Sequence, residues 1–114
     1  MAKMTKETRI KRRKQELEEI YASLPADKYI LAEPLIQNAA FLEIELSDLK
    51  LVIAQKGTVE DYKNGENQYG KKVGSEVQSY NSLMKTYNMI NSRLEAMLPE
   101  KKSESKLDKF LNSK

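Results

Sequence analysis

Between residues 35 and 53 the chain repeats apolar side chains at Leu35, Ala39, Leu42, Leu46, Leu49 and Ile53, at spacings of four, three, four, three and four. On an α-helix such positions form one stripe, a heptad seam that another helix must cover. A long helix is therefore the first constraint on the fold. From Pro25 to Lys56 only Pro34 interrupts the helical pattern, where it either starts the main helix or kinks it, and Gly57 supplies a stop. A second stripe runs through Val77, Tyr80, Met84, Tyr87, Leu94 and Leu98, with Asn91 the polar exception, and Leu83, Ile90 and Met97 widen it. Ser75-Glu76 resembles a helix start, and Pro99 ends the pattern.

Between the stripes the helical period breaks, and three of the four glycines fall at Gly65, Gly70 and Gly74. Asn64-Gly65 is a strong two-residue turn signal, and Val59, Tyr62, Tyr69 and Val73 suit two short flanking strands. Two long helices joined by so short an excursion fold back antiparallel, seam on seam. Upstream, residues 6–24 read as a further helix, with Ile10, Leu17, Ile20, Tyr21 and Leu24 as its apolar positions and Pro25-Asp27 as its end. The expected fold is mainly all-α: a long antiparallel helical hairpin with a short β-hairpin or loop at its tip, preceded by a basic helix. Residues 1–24 form the basic helix or arm, 25–99 the hairpin core and oligomerisation unit, and 100–114 a flexible C-terminal tail. A helix over residues 34–56 would be about 34 Å long, against a radius of gyration near 13 Å for a compact chain of this size, so the expected shape is a rod.

The 114 residues include no Cys, no His and no Trp. A zinc site, an iron–sulfur cluster, a thiol nucleophile, a Ser-His-Asp triad and a disulfide are thereby excluded, and no cofactor is expected. The carboxylates Glu16, Glu18, Glu19, Glu43, Glu45 and Asp48 show no spacing that converges on a metal, and read as solvated faces. Gly65 to Lys72 carries the GxxxxGK frame of a phosphate loop, but Lys72 stands where a Ser or Thr hydroxyl would hold magnesium, so a glycine-bearing hairpin is the better reading. Tyr80 and Tyr87 could stack on bases but fit the seam as core. No apolar run is long enough to span a bilayer, and no apolar segment follows the basic N-terminus, so a soluble, intracellular protein with no membrane partner is expected.

The net charge of +3 is unevenly spread: +6 over residues 1–14, −7 over 15–61 and +4 over 62–114. The basic arm, with Lys6, Arg9, Lys11, Arg12, Arg13 and Lys14, has the composition of a backbone contact to nucleic acid, without a pattern for reading sequence. Arg9, Arg12 and Arg13 would place three guanidiniums on one helical side. The main helix also carries Ile44 and Leu51 opposite its seam. Either the first helix or a neighbouring copy must cover them, and a rod this thin favours the copy. In the tail, Leu107, Phe110 and Leu111 make one small apolar face suited to a groove on another protein.

The runs LAEPLIQNAAFLEIELSDLK, GTVEDYKNGENQYGKK and YNSLMKTYNMINSRLEAMLP together resemble the small terminase subunits of tailed bacteriophages and prophages of Gram-positive hosts, over roughly residues 25–99. The resemblance rests on the order helix, Tyr62…Asn64-Gly65…Gln68…Gly70-Lys71 hairpin, helix, and closing Leu98-Pro99. It implies a non-enzymatic DNA-packaging factor in the host cytoplasm that forms a homo-oligomeric ring. Such a factor engages double-stranded viral DNA and recruits or regulates the large terminase subunit, which owns the ATPase and nuclease. Many relatives begin with a helix-turn-helix, whereas the 24 residues here allow only one helix, a departure from the family that leaves sequence-specific recognition outside what the resemblance implies. The competing reading is a helical adaptor whose basic arm binds an acidic protein partner.

Overall fold

The computed structural model describes residues 4–63 and 69–99. In chain order these form α1 (Lys6–Ile20), α2 (Ala26–Lys56), β1 (Val59–Lys63), β2 (Tyr69–Val73) and α3 (Ser75–Met97). The mainly helical class and the antiparallel hairpin with a ribbon at its tip are as the spacing suggests.

Thr5 caps α1: its hydroxyl oxygen accepts the Thr8 N–H at 3.1 Å, satisfying one of the amides that a helix start leaves open. The regular helix stops at Ile20, short of the expected Leu24, because Pro25 disfavours helical backbone in the residue before it. Tyr21–Leu24 instead make a turn, with the Leu24 N–H donating to the Tyr21 carbonyl at 3.1 Å. α2 then runs unbroken for 31 residues, about 46 Å, with Pro34 inside it. Pro34 therefore does not start the helix. Pro34 and Ile30 are both exposed, so water can serve the Ile30 carbonyl that the missing Pro34 N–H leaves free.

Gly57 ends α2 at φ 88°, ψ 178°, a backbone region open in practice to glycine alone. β1 and β2 pair antiparallel from Val59↔Val73 to Lys63↔Tyr69, and the Gly74 N–H extends the ladder to the Thr58 carbonyl at 2.9 Å. At the ribbon's base Lys56 Nζ, in the last turn of α2, lies 2.6 Å from Glu76 Oε1, in the first turn of α3. Each charge sits at the helix end whose dipole favours it.

The core lies at the end of the hairpin away from the ribbon, where Ala32, Ile36, Ala39, Ala40 and Leu42 of α2 meet Ile90 and Leu94 of α3. Leu17, Tyr21 and Leu24 of the first segment close over them. The three alanines let the helix axes approach, and Ile36 and Leu94 are the largest fully buried side chains. Of the predicted seam, Ala39, Leu42 and Leu46 are buried, while Leu35, Leu49 and Ile53 are half-buried nearer its ends. The Cα radius of gyration is 19.3 Å, with extents of 62 × 37 × 31 Å, well beyond a compact globule of this length.

Candidate nucleic-acid interface

The basic segment is a helix docked along α2. Its C-terminal part is held by apolar burial of Leu17 and, in the following turn, Tyr21 and Leu24, with Ile20 left exposed. Its N-terminal part offers only Ile10 to the core cluster and is held by charge. Lys6 pairs with Glu45 and lies 3.8 Å from Asp48, and Arg9 Nη1 lies 2.9 Å from Asp48 Oδ1. Arg13 Nε donates to Glu43 Oε1 at 2.7 Å, and its Nη1 to Glu16 Oε1 at 3.1 Å. At about 100° per residue, Lys6, Arg9 and Arg13 fall within roughly 60° of helix surface, the side that α2 occupies.

Glu43 is the busiest group of this contact. Its Oε2 accepts from the Tyr87 hydroxyl at 3.1 Å, and Arg13 Nη2 approaches the same oxygen at 3.4 Å, so one carboxylate ties α1 and α3 to α2. Burial pulls the Arg13 pKa down, but hydrogen bonds to Glu43 and Glu16 outweigh it and hold the guanidinium above its usual value. Tyr87 is pushed up to about 12, first by burial and then by the charge of Glu43.

The six predicted phosphate contacts therefore divide. Lys6, Arg9 and Arg13 face α2 carboxylates, whereas Lys11, Arg12 and Lys14 have no carboxylate in ion-pair range among the described residues. Lys11 and Arg12 are exposed and Lys14 is half-buried. Arg12 lies about 60° round the helix from Arg9 and about 100° from Arg13, so the three guanidiniums share a broad side of α1, of which only Arg9 and Arg13 reach the α2 carboxylates. Glu43, Glu45 and Asp48, which read as solvated faces, are the counter-charges. A signal for this was present in the +6 and −7 segments and in the three-then-four spacing of Lys6, Arg9 and Arg13, which is the spacing of a docked helix face.

Ile44 is half-buried and Leu51 is 63% exposed. Leu51 borders an open cleft of about 390 Å³ between α2 and α3, lined also by Leu46, Tyr80, Met84 and Tyr87. Ile30, Leu31 and Phe41 add further exposed apolar surface on α2, at 70%, 66% and 45%. Gly70, Lys71 and Lys72 lie in strand β2, so this part of the GxxxxGK frame does not open a helix as a phosphate loop does; the frame's first residues lie outside the described ones. On the ribbon Lys72 pairs with Glu60 at 3.3 Å, Lys71 stands opposite Asp61, and Lys63 Nζ sits 5.7 Å from the Tyr69 ring centre. Leu107, Phe110 and Leu111 lie outside the described residues. Among those residues no cluster of three or more acidic groups could hold a metal ion, and no helix is long and apolar enough to cross a membrane.

Compared with family models, curated proteins and solved structures, the chain matches none of them.

Proposed function

We propose that this chain is a DNA-packaging factor of the small-terminase kind. It binds double-stranded viral DNA in the host cytoplasm, assembles with copies of itself into a ring, and recruits or regulates a large terminase subunit without being an enzyme itself. The observation that carries the reading is the split of the basic helix. α1 is pinned to the hairpin on one side and presents Lys11 and Arg12 to solvent on others, so cations sit on a fixed helix where phosphates can reach them. Binding of this kind is electrostatic and insensitive to sequence. The exposed Ile30, Leu31, Phe41 and Leu51 support self-assembly, since apolar surface on so thin a rod is stabilised when a second copy covers it. The tail residues Leu107, Phe110 and Leu111 are assigned to the large subunit on sequence alone.

A second reading has its own observation. The inner side of α1 is already engaged with a helix rich in carboxylates, which is the surface that an adaptor for an acidic protein partner would use. Titrating a fluorescent 20-base-pair duplex over a salt series separates the two. The DNA reading expects affinity to fall steeply with salt, and Lys11→Ala with Arg12→Ala to weaken binding to all sequences alike and lower the salt slope by about 0.9 per lost contact. No duplex binding at low salt, together with binding of a polyglutamate peptide, would favour the adaptor.

A further inference from the structure

The contact of the first turns of α1 with the C-terminal half of α2 joins groups of opposite charge that a polyanion would separate. Lys6 and Arg9 meet Glu45 and Asp48, and all four remain partly open to water: 46% and 31% for the two cations, 25% and 33% for the two carboxylates. Ion pairs this exposed are worth about 0–1 kcal/mol each and weaken with salt. The buried apolar anchors of the segment lie further on, at Leu17, Tyr21 and Leu24, so the first turns can lift with the loss of one partly buried apolar contact, that of Ile10 at the edge of the core. Arg13 differs, because it holds both oxygens of Glu43, which is also held by Tyr87.

From this asymmetry we infer that Glu45 and Asp48 act as an internal stand-in for phosphate, an autoinhibitory contact that withholds Lys6 and Arg9 until a nucleic acid displaces them. The inference deepens the DNA-binding reading and rests on it. In the resting state duplex DNA meets Lys11, Arg12 and Lys14. Their engagement raises the local concentration of phosphates around Lys6 and Arg9, which exchange carboxylate for phosphate and add two contacts. Affinity is then lower than six free cations would give, and nonspecific binding by the isolated chain is restrained. Arg13 stays on Glu43 and serves as the hinge point.

The test is the double variant Glu45→Gln with Asp48→Asn in the full chain, against a control of equal charge change placed elsewhere, Asp61→Asn with Glu95→Gln. Duplex affinity is read by fluorescence anisotropy over a salt series, and amide exchange of residues 6–13 is followed without DNA. The expected result is about tenfold tighter binding than the control, with exchange in residues 6–13 accelerated while residues 36–46 and 90–94 stay protected. The wild type's salt slope near saturation should match that of the variant, since both then use Lys6 and Arg9. If the double variant binds no better than the control while the wild type binds through Lys11 and Arg12, the autoinhibitory contact is overturned and the DNA reading stands. If neither chain binds duplex at low salt, both are overturned. Should the double variant lose protection in the core, the single variants Glu45→Gln and Asp48→Asn replace it, each expected to tighten binding about threefold; no tightening in either overturns the inference.

Discussion

The Tyr87 hydroxyl donates a 3.1 Å hydrogen bond to Glu43 Oε2, and the other oxygen of that carboxylate takes Arg13 Nε at 2.7 Å. The bond spans 44 positions of sequence and fixes the pitch of α3 on α2 beside the docked α1. Tyr87 must stay protonated to donate. Its folded pKa of about 12 lies above the ordinary tyrosine value of 10.0, so the unfolded chain releases this proton first. The stabilisation is complete below about pH 10 and is lost as pH rises toward 12. Urea unfolding between pH 9 and 12 should show stability falling more steeply in the wild type than in Tyr87→Phe. At pH 7 that variant should be about 1 kcal/mol less stable, the usual loss for a partly solvated bond to a charge.

Pro34 and Gly57 carry opposite backbone consequences within one helix. Pro34 stands exposed inside α2, so Pro34→Ala restores an N–H to the ladder at no cost in packing and should raise stability by about 1–3 kcal/mol. Gly57→Ala has open space around its new Cβ but inherits φ 88° and ψ 178°, and should cost about 1–3 kcal/mol. Thermal melts of the two variants should move in opposite directions.

In the ribbon, Tyr62 lies across its partner Gly70, and a Cβ at Gly70 would come 2.8 Å from Tyr62 Oη and 2.9 Å from the ring. Gly70→Ala should therefore push Tyr62 into solvent, seen as aromatic NMR shifts moving toward free tyrosine. The melting temperature should hold, because the ribbon adds nothing to the core at the far end of the hairpin.

Much of this architecture was legible in the sequence because it depends on local periodicity and punctuation. The stripes of α2 and α3, the strands β1 and β2 and the stops at Gly57 and Pro99 are each set by residues within a few positions of one another. The docking of α1 was not legible in the same way. It depends on Ile36 and Ala40, each one position past the seam residues Leu35 and Ala39, which widen the buried face beyond the heptad stripe, and on the pairs Arg9–Asp48 and Arg13–Glu43, 39 and 30 positions apart. Charge along a chain shows that opposite segments exist; only the helix faces show which charges are used up and which remain for a ligand.

Self-assembly is addressed at Leu51, which is exposed and borders the open cleft, and at Ile44, which is half-buried. If a second copy covers this side, Leu51→Asp should lower the mass in light scattering at tens of micromolar, since an unpaired charge on a dry contact is costly. Ile44→Asp should do the same, with a greater loss of monomer stability. A monomeric wild type at that concentration would contradict a ring.

The central claim, that the outer side of α1 binds DNA, is tested most directly by NMR of the full chain titrated with a 20-base-pair duplex. The account expects the earliest and largest amide shifts at Lys11, Arg12 and Lys14, with Lys6 and Arg9 following as saturation approaches and Ile36 and Leu94 unmoved. Shifts confined to Lys63, Lys71 and Lys72 of the ribbon, or no shifts at low salt, would contradict it.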